Sequence, residues 1–323
     1  MKRNFSLPHT TAASRRTRLQ SSVFSLLFSA FLLLPSSLLH AQTTNSWIKA
    51  GDGFCEEVVN WSAGAPSINH AAELITNAIS KTVSMFSPLP VSTLTISNLV
   101  LSAPAGSTNT LWVHDLSEGP FRVLDSFEVL PGGEWLLQSG ATQMVKYAIM
   151  NNRGTMSGGL LVVTNAPGGL EIGTGVSPAQ FTVSGGKALV NYVYLGAVVG
   201  GGSQKPVGTL TVSGGNVETP AVALGNFGGT GTVWLTSGQL TVTNEFASIG
   251  SQGIGRMILS NGNWLAREVR VGYIAGSQGT LTVAGGDHLI SSNLTVGLYD
   301  GAIGGRILWL RRVHPRRRHR ERR

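Results

Sequence analysis

Between Gly208 and Gly297 the apolar and polar positions of the chain fall into four matching lines. Each line opens on a glycine and then alternates. Leu210/Val212, Val233/Leu235, Met257/Leu259 and Leu281/Val283 stand two and four residues after Gly208, Gly231, Gly255 and Gly279. Thr209, Thr211, Thr232, Thr280 and Thr282 take intervening positions. Period-two alternation predicts a strand with one buried face, and β-branched threonines suit the other face of a pleated surface. Each line closes on a second alternating pair followed by glycine: Val222/Leu224, Ala247/Ile249, Val269/Val271 and Leu294/Val296. A weaker third run, such as Leu240-Thr-Val242, lies between the two.

The starts of the lines are 23, 24 and 24 residues apart (231−208, 255−231, 279−255). A fixed period in this range marks a stacked repeat. No unit this small can bury its apolar face alone, so neighbours must stack. The predicted fold is all-β, a right-handed β-helix or β-solenoid with rungs of about 24 residues, spaced about 4.8 Å apart. Helices are not expected, because a 3.6-residue apolar period is absent and glycine recurs too often for helix interiors. The constant offsets predict two internal columns: Leu210, Val233, Met257 and Leu281, and Leu224, Ile249, Val271 and Val296.

The pattern divides the rest of the chain. Residues 1–41 read as a signal peptide: Lys2, Arg3, Arg15, Arg16 and Arg18 precede an apolar run over 23–39, broken by Pro35 and followed by the small residue Ala41. A retained membrane anchor is the competing reading, and Pro35 and the Ala41 site speak against it. Ser14-Arg15-Arg16 hints at a twin-arginine signal, but Arg18 and the very hydrophobic core favour the general secretory route. Residues 42–132 read as an N-terminal capping region and first rungs, and 133–310 as solenoid repeats, with Gly200 to Pro206 as a loop inserted at one corner. Gly305-Arg-Ile-Leu-Trp-Leu310 repeats the form of Gly255-Arg-Met-Ile-Leu-Ser260. The Arg-rich tail 311–323 then breaks the pattern, and is expected to be the product of an interrupted reading frame rather than a native domain. A basic arm for anionic surface polymers is the alternative.

Charge changes the picture once it is split along the chain. The formal net charge is +8. Between Gln42 and Gly305, however, ten basic residues face fifteen acidic ones, giving about −5 (10−15). The body therefore has no electrostatic case for nucleic acid. Cys55 is the only cysteine, so no intramolecular disulfide staples the fold and stability must come from stacking. Asn60-Trp-Ser62 and Asn293-Leu-Thr295 match the N-glycosylation pattern, which matters only in a eukaryotic secretory pathway.

Trp47, Gly51-Asp-Gly53 and Asn60-Trp61-Ser62, followed by Gly64-Ala-Pro66, resemble the entry segment of exported bacterial repeat proteins that carry autotransporter-associated β-strand repeats. The four lines above resemble that family's body. The resemblance covers roughly residues 45–305. The chain departs from it at Cys55, where such segments often carry a second tryptophan, and no membrane barrel is legible in it. The resemblance implies an exported, surface-associated, passenger-like β-helix, and brings no catalytic motif. Trp47 and Trp61 could form a sugar-stacking platform, but aromatics in such segments more often close the open end of a solenoid core.

Little catalytic chemistry is legible. Gly228-Gly-Thr-Gly-Thr-Val-Trp234 approaches a calcium-binding nonapeptide, but Val233 stands where an aspartate is needed. No nucleophile elbow, zinc motif or phosphate loop is present, and the seven histidines are scattered, with His288 among strand residues. The nearest approach to a catalytic pair is Glu245 and Glu268, fourteen and thirteen residues into successive repeats (245−231, 268−255). A glycoside hydrolase needs two carboxylates about 5–10 Å apart. Arg267 and Arg270 flank Glu268, so an ion-pair ladder is the blander account. The expected function is thus structural or adhesive, at the outer cell surface, without catalysis, cofactor or metal. Partners would be cell-surface polymers or other copies of the chain. The alternatives are a polysaccharide-active lyase or glycoside hydrolase using Glu245 and Glu268, and a carbohydrate-binding module using Trp47, Trp61 or Trp112.

Overall fold

A computed structural model describes residues 42–86, 94–116, 119–165, 169–197, 205–297 and 302–309. Residues 1–41, read above as a signal peptide, the tail 311–323 and most of the corner insertion lie outside the described residues. The body is a β-solenoid of about ten turns built from parallel strands. Three parallel ladders build it: an opening and a closing ladder from the first turn, and a middle ladder from Thr95–Ile96 onward.

The opening ladder stacks Lys81–Met85, Asn109–Val113 and Gly133–Leu137, then the first halves of Arg153–Val163 and Ala179–Val190. It continues through Val207–Val212, Thr230–Leu235, Ile254–Leu259 and Gln278–Val283 to Ile303–Trp309. The closing ladder begins at Thr44–Ser46 and Ala72–Ile75, and passes through Tyr192–Ala197 and Ala221–Asn226 to Leu294–Val296. The described strands between Ala72 and Val129, whose sequence shows no clear registration, pair in the same ladders as the regular repeats.

Leu210, Val233, Met257 and Leu281 pair in one register and are fully buried, forming the first expected column. Leu224, Ile249 and Val271 form the second. Val296 completes its register opposite Val271 but is 41% exposed. Among the described residues no further strand pairs with Leu294–Val296, so its inward side chains have no apolar layer above them.

From Leu170–Ile172 onward a glycine follows the closing pair, and at Gly173, Gly196, Gly225 and Gly250 the reason is stacking. Gly225 has φ +66°, and a Cβ there would stand 2.3 Å from the Ile254 carbonyl oxygen. The corner therefore needs both a left-handed backbone and no side chain.

Turn length is not constant toward the N-terminus. Along the inward column Trp135, Gly154, Phe181 and Leu210, the spacings are 19, 27 and 29 residues (154−135, 181−154, 210−181). Gly154 points into the core, and its missing side chain leaves room for Trp135 and Phe181 to stack at 5.6 Å. The end of the core nearest Thr44 is closed by Trp47 and Trp61, buried and edge-to-face at 5.3 Å. The Trp61 indole N–H donates to the Cys55 carbonyl at 2.7 Å. Both rings belong to the core, leaving no face open for a sugar.

Candidate functional site

The outward side of the closing ladder carries the two carboxylates singled out in the sequence. A register shift between Val242 and Phe246 interrupts the strand Gln239–Ile249. Phe246, not Glu245, then stands opposite Glu268. Glu245 instead accepts a short hydrogen bond from the Tyr192 hydroxyl, 53 residues earlier (245−192). Glu268 is held by Arg270, whose Nε donates at 2.5 Å. The Arg270 guanidinium also lies 4.2 Å over the Phe246 ring and 5.0 Å over Tyr273. Arg267 turns away, donating to the Asn244 carbonyl at 2.6 Å. The structure thus brings each predicted carboxylate to a partner of its own.

Tyrosines that the sequence reading missed make up the rest of this face. Tyr192 and Tyr194 face outward from one strand because Val193 and Leu195 face in. Their rings are nearly parallel, at 6.0 Å. One turn later their register partners are Ala221 and Ala223, also outward yet buried. To reach Glu245, the Tyr192 ring must cross the Ala221 turn, which only a small side chain permits. Tyr147 bonds Glu171 on the directly neighbouring turn, beside Gly169. The signal was present as Tyr-Val-Tyr and Ala-Val-Ala, but the 29-residue turn between them (221−192) hid the register.

Electrostatics follow from this packing. Burial pushes the Glu171 carboxyl above the usual carboxylate range, partly opposed by its bond from Tyr147. Burial, the bond to Glu171 and that carboxylate's charge raise Tyr147 in turn. The hydrogen bond to Glu245, with burial adding to it, pushes Tyr192 up to about 12. Tyr194 is raised by burial and by the charges of both Glu171 and Glu245, so it lies within the field of both. Ser248 completes the floor, 0% exposed, its hydroxyl without a hydrogen-bond partner.

Elsewhere, Trp112 lies on the outer side of the opening ladder, stacked on His114 at 4.0 Å, with Phe86 on His114 at 5.1 Å. Burial lowers the His114 pKa. Val233 is in the core, far from any role as a metal ligand. The His288 ring bonds the Gly285 carbonyl at 2.6 Å and packs edge-on to buried Trp264. Among the described residues no His, Cys, Asp and Glu side chains group as a metal site, and no helix is long and apolar enough to cross a membrane. Comparison of the chain with protein-family models, with curated proteins and with solved structures returned no match.

Proposed function

We propose that the chain is an exported, passenger-like structural or adhesive protein of the cell surface, acting through repeated contact rather than catalysis. The observation that supports this most directly is the opening ladder. From Val207 to Val283 its strands pair residue for residue without a shift, and their outward positions are half threonine, with Arg256 as the one charge among them. Trp234 stands 43% exposed within that surface. A weakly charged surface repeated at each turn suits multivalent contact with a surface polymer or lateral packing with another copy. The engagement of Glu245 by Tyr192 and of Glu268 by Arg270 supports the same reading, since both carboxylates are already committed.

A second reading, a polysaccharide-active enzyme, is favoured by one observation. Glu171 has the raised pKa a general acid needs, and Tyr194 lies in the field of both Glu171 and Glu245. That moves the acid role away from Glu268.

One experiment separates the two. The protein is tested for sedimentation with isolated cell-surface polymers, for self-association by analytical ultracentrifugation, and for products from a panel of polysaccharides. The adhesive reading expects binding or self-association that is lost in Thr211→Lys/Trp234→Lys, with no products. Turnover that disappears in Glu171→Gln or Glu245→Gln, with circular dichroism unchanged, overturns it in favour of the enzyme.

A further inference from the structure

The corner between the opening and middle ladders holds a groove of about 590 Å³, lined by Asn216, Gln239, Asn261, Asn263 and Asp287 with the glycines of three successive turns, Gly238, Gly262 and Gly286. Stacking dictates its floor. Gly215, Gly238, Gly262 and Gly286 all have positive φ, between +64° and +91°. A Cβ on Gly238 would stand 2.5 Å from the Gly215 carbonyl oxygen, one on Gly262 2.8 Å from that of Gly238, and one on Gly286 2.2 Å from that of Gly262. No side chain can fill the groove from below, so the floor is bare backbone at every turn.

Its wall is a ladder in register. Asn216, Gln239, Asn263 and Asp287 pair one above another as the first residues of their strands. Gln239 donates to Thr241 at 2.8 Å. The side chains of Asn216, Asn261, Asn263 and Asp287 make no hydrogen bond to any described residue. The carboxamides of Asn216, Asn261 and Asn263 thus each present a free acceptor and two free donors, and the register ladder rises by the strand spacing of about 4.8 Å per turn.

We propose that this groove binds a neutral, extended polysaccharide strand lying along the solenoid axis, its hydroxyls paired with the carboxamides of successive turns. A hydroxyl both donates and accepts, and a carboxamide answers both functions. The wall carries one formal charge, on Asp287, and it is negative, which disfavours anionic polymers. The regular ladder selects a linear chain over a compact ligand, because only a chain meets several turns at once. The inference rests on the adhesive reading and names the partner chemistry for it.

Isothermal titration of the full chain with cellohexaose, xylohexaose and chitohexaose tests the groove. Saturable binding of at least one hexaose is expected, weaker for the matching disaccharide. The triple variant Asn216→Ala/Asn261→Ala/Asn263→Ala, all surface positions, is expected to lose about tenfold or more in affinity. Asp125→Asn, on a distant exposed ion pair, is expected to leave it unchanged. Equal affinity of the triple variant and the parent overturns the proposal, as does the absence of saturable binding to all three hexaoses. Cell-polymer binding and self-association are then compared in the triple variant: polymer binding undiminished there sinks the groove while leaving the adhesive reading standing. Absence of both from the parent sinks the adhesive reading, whatever the groove binds.

Discussion

The opening and closing faces of the same turns are built on different terms. On the opening face, Val207–Val212, Thr230–Leu235, Ile254–Leu259 and Gln278–Val283 align without a shift. Each outward side chain meets its counterpart one turn away. On the closing face, shifts after Val145 and after Val242 re-aim the strand. Small residues at Ala221, Ala223 and Ser248 let long side chains from neighbouring turns reach across them. The inward columns are equally apolar on both faces, so the contrast lies in the outer layer. A solenoid keeps its core by repetition, and can vary a surface wherever a small residue leaves space on an adjacent turn.

The comparison breaks most severely from inside. Val233→Asp would place a carboxylate in a column closed above and below by Met257 and Leu210. It is expected to cost roughly 4 kcal/mol or more. Urea unfolding followed by circular dichroism checks this, and a variant as stable as the parent would refute the column.

Corner glycines sharpen the comparison at intermediate magnitude. Gly238 and Gly228 both have positive φ, +72° and +89°. A Cβ on Gly238 meets the Gly215 carbonyl at 2.5 Å, whereas one on Gly228 meets nothing within 4 Å. Gly228→Ala should cost only the left-handed strain of about 1 kcal/mol. Gly238→Ala should cost about 3 kcal/mol, because stacked backbone must also move. Equal losses in thermal or urea denaturation would mean that stacking does not constrain this corner.

The smallest effect lies on the closing face. Tyr192 is expected to ionise near 12, above the ordinary value of about 10. A raised folded-state value means that the neutral phenol is favoured on folding. Its contribution to stability is therefore fully present below about pH 10 and is lost as pH rises through about 12. Titration followed by tyrosinate absorbance should show Tyr192 ionising late together with Tyr147 and Tyr194, and Glu245→Gln should bring one of these phenols back toward about 10. No change in that variant would remove Glu245 as the cause.

Legibility tracked the regularity of the turn. Leu210, Val233, Met257 and Leu281 could be aligned by counting, because every turn from Gly208 to Val283 has nearly the same length. The core role of Trp135 and Phe181 could not, because their turns differ in length and the gap at Gly154 that lets them stack is visible only in register. Glu245 and Glu268 occupy similar positions in their repeats, yet the shift before Phe246 separates their partners. The corner groove was hidden for another reason. Its glycines were legible as turn residues, but the alignment of Asn216, Gln239, Asn263 and Asp287 over them depends on pairing of the middle strands.

Alternation and period alone determined the all-β solenoid, the inward columns and the glycine corners, since each follows from the requirement that a strand bury one face against its repeat. Tertiary structure decided which outward residues meet. Tyr192 finds Glu245 across 53 residues (245−192) only because an intervening turn presents alanine. Burial of apolar side chains acts within every turn and is written into the local pattern. Contacts on the outer surface depend on the register between turns, and that register is set by insertions and shifts the local pattern does not encode.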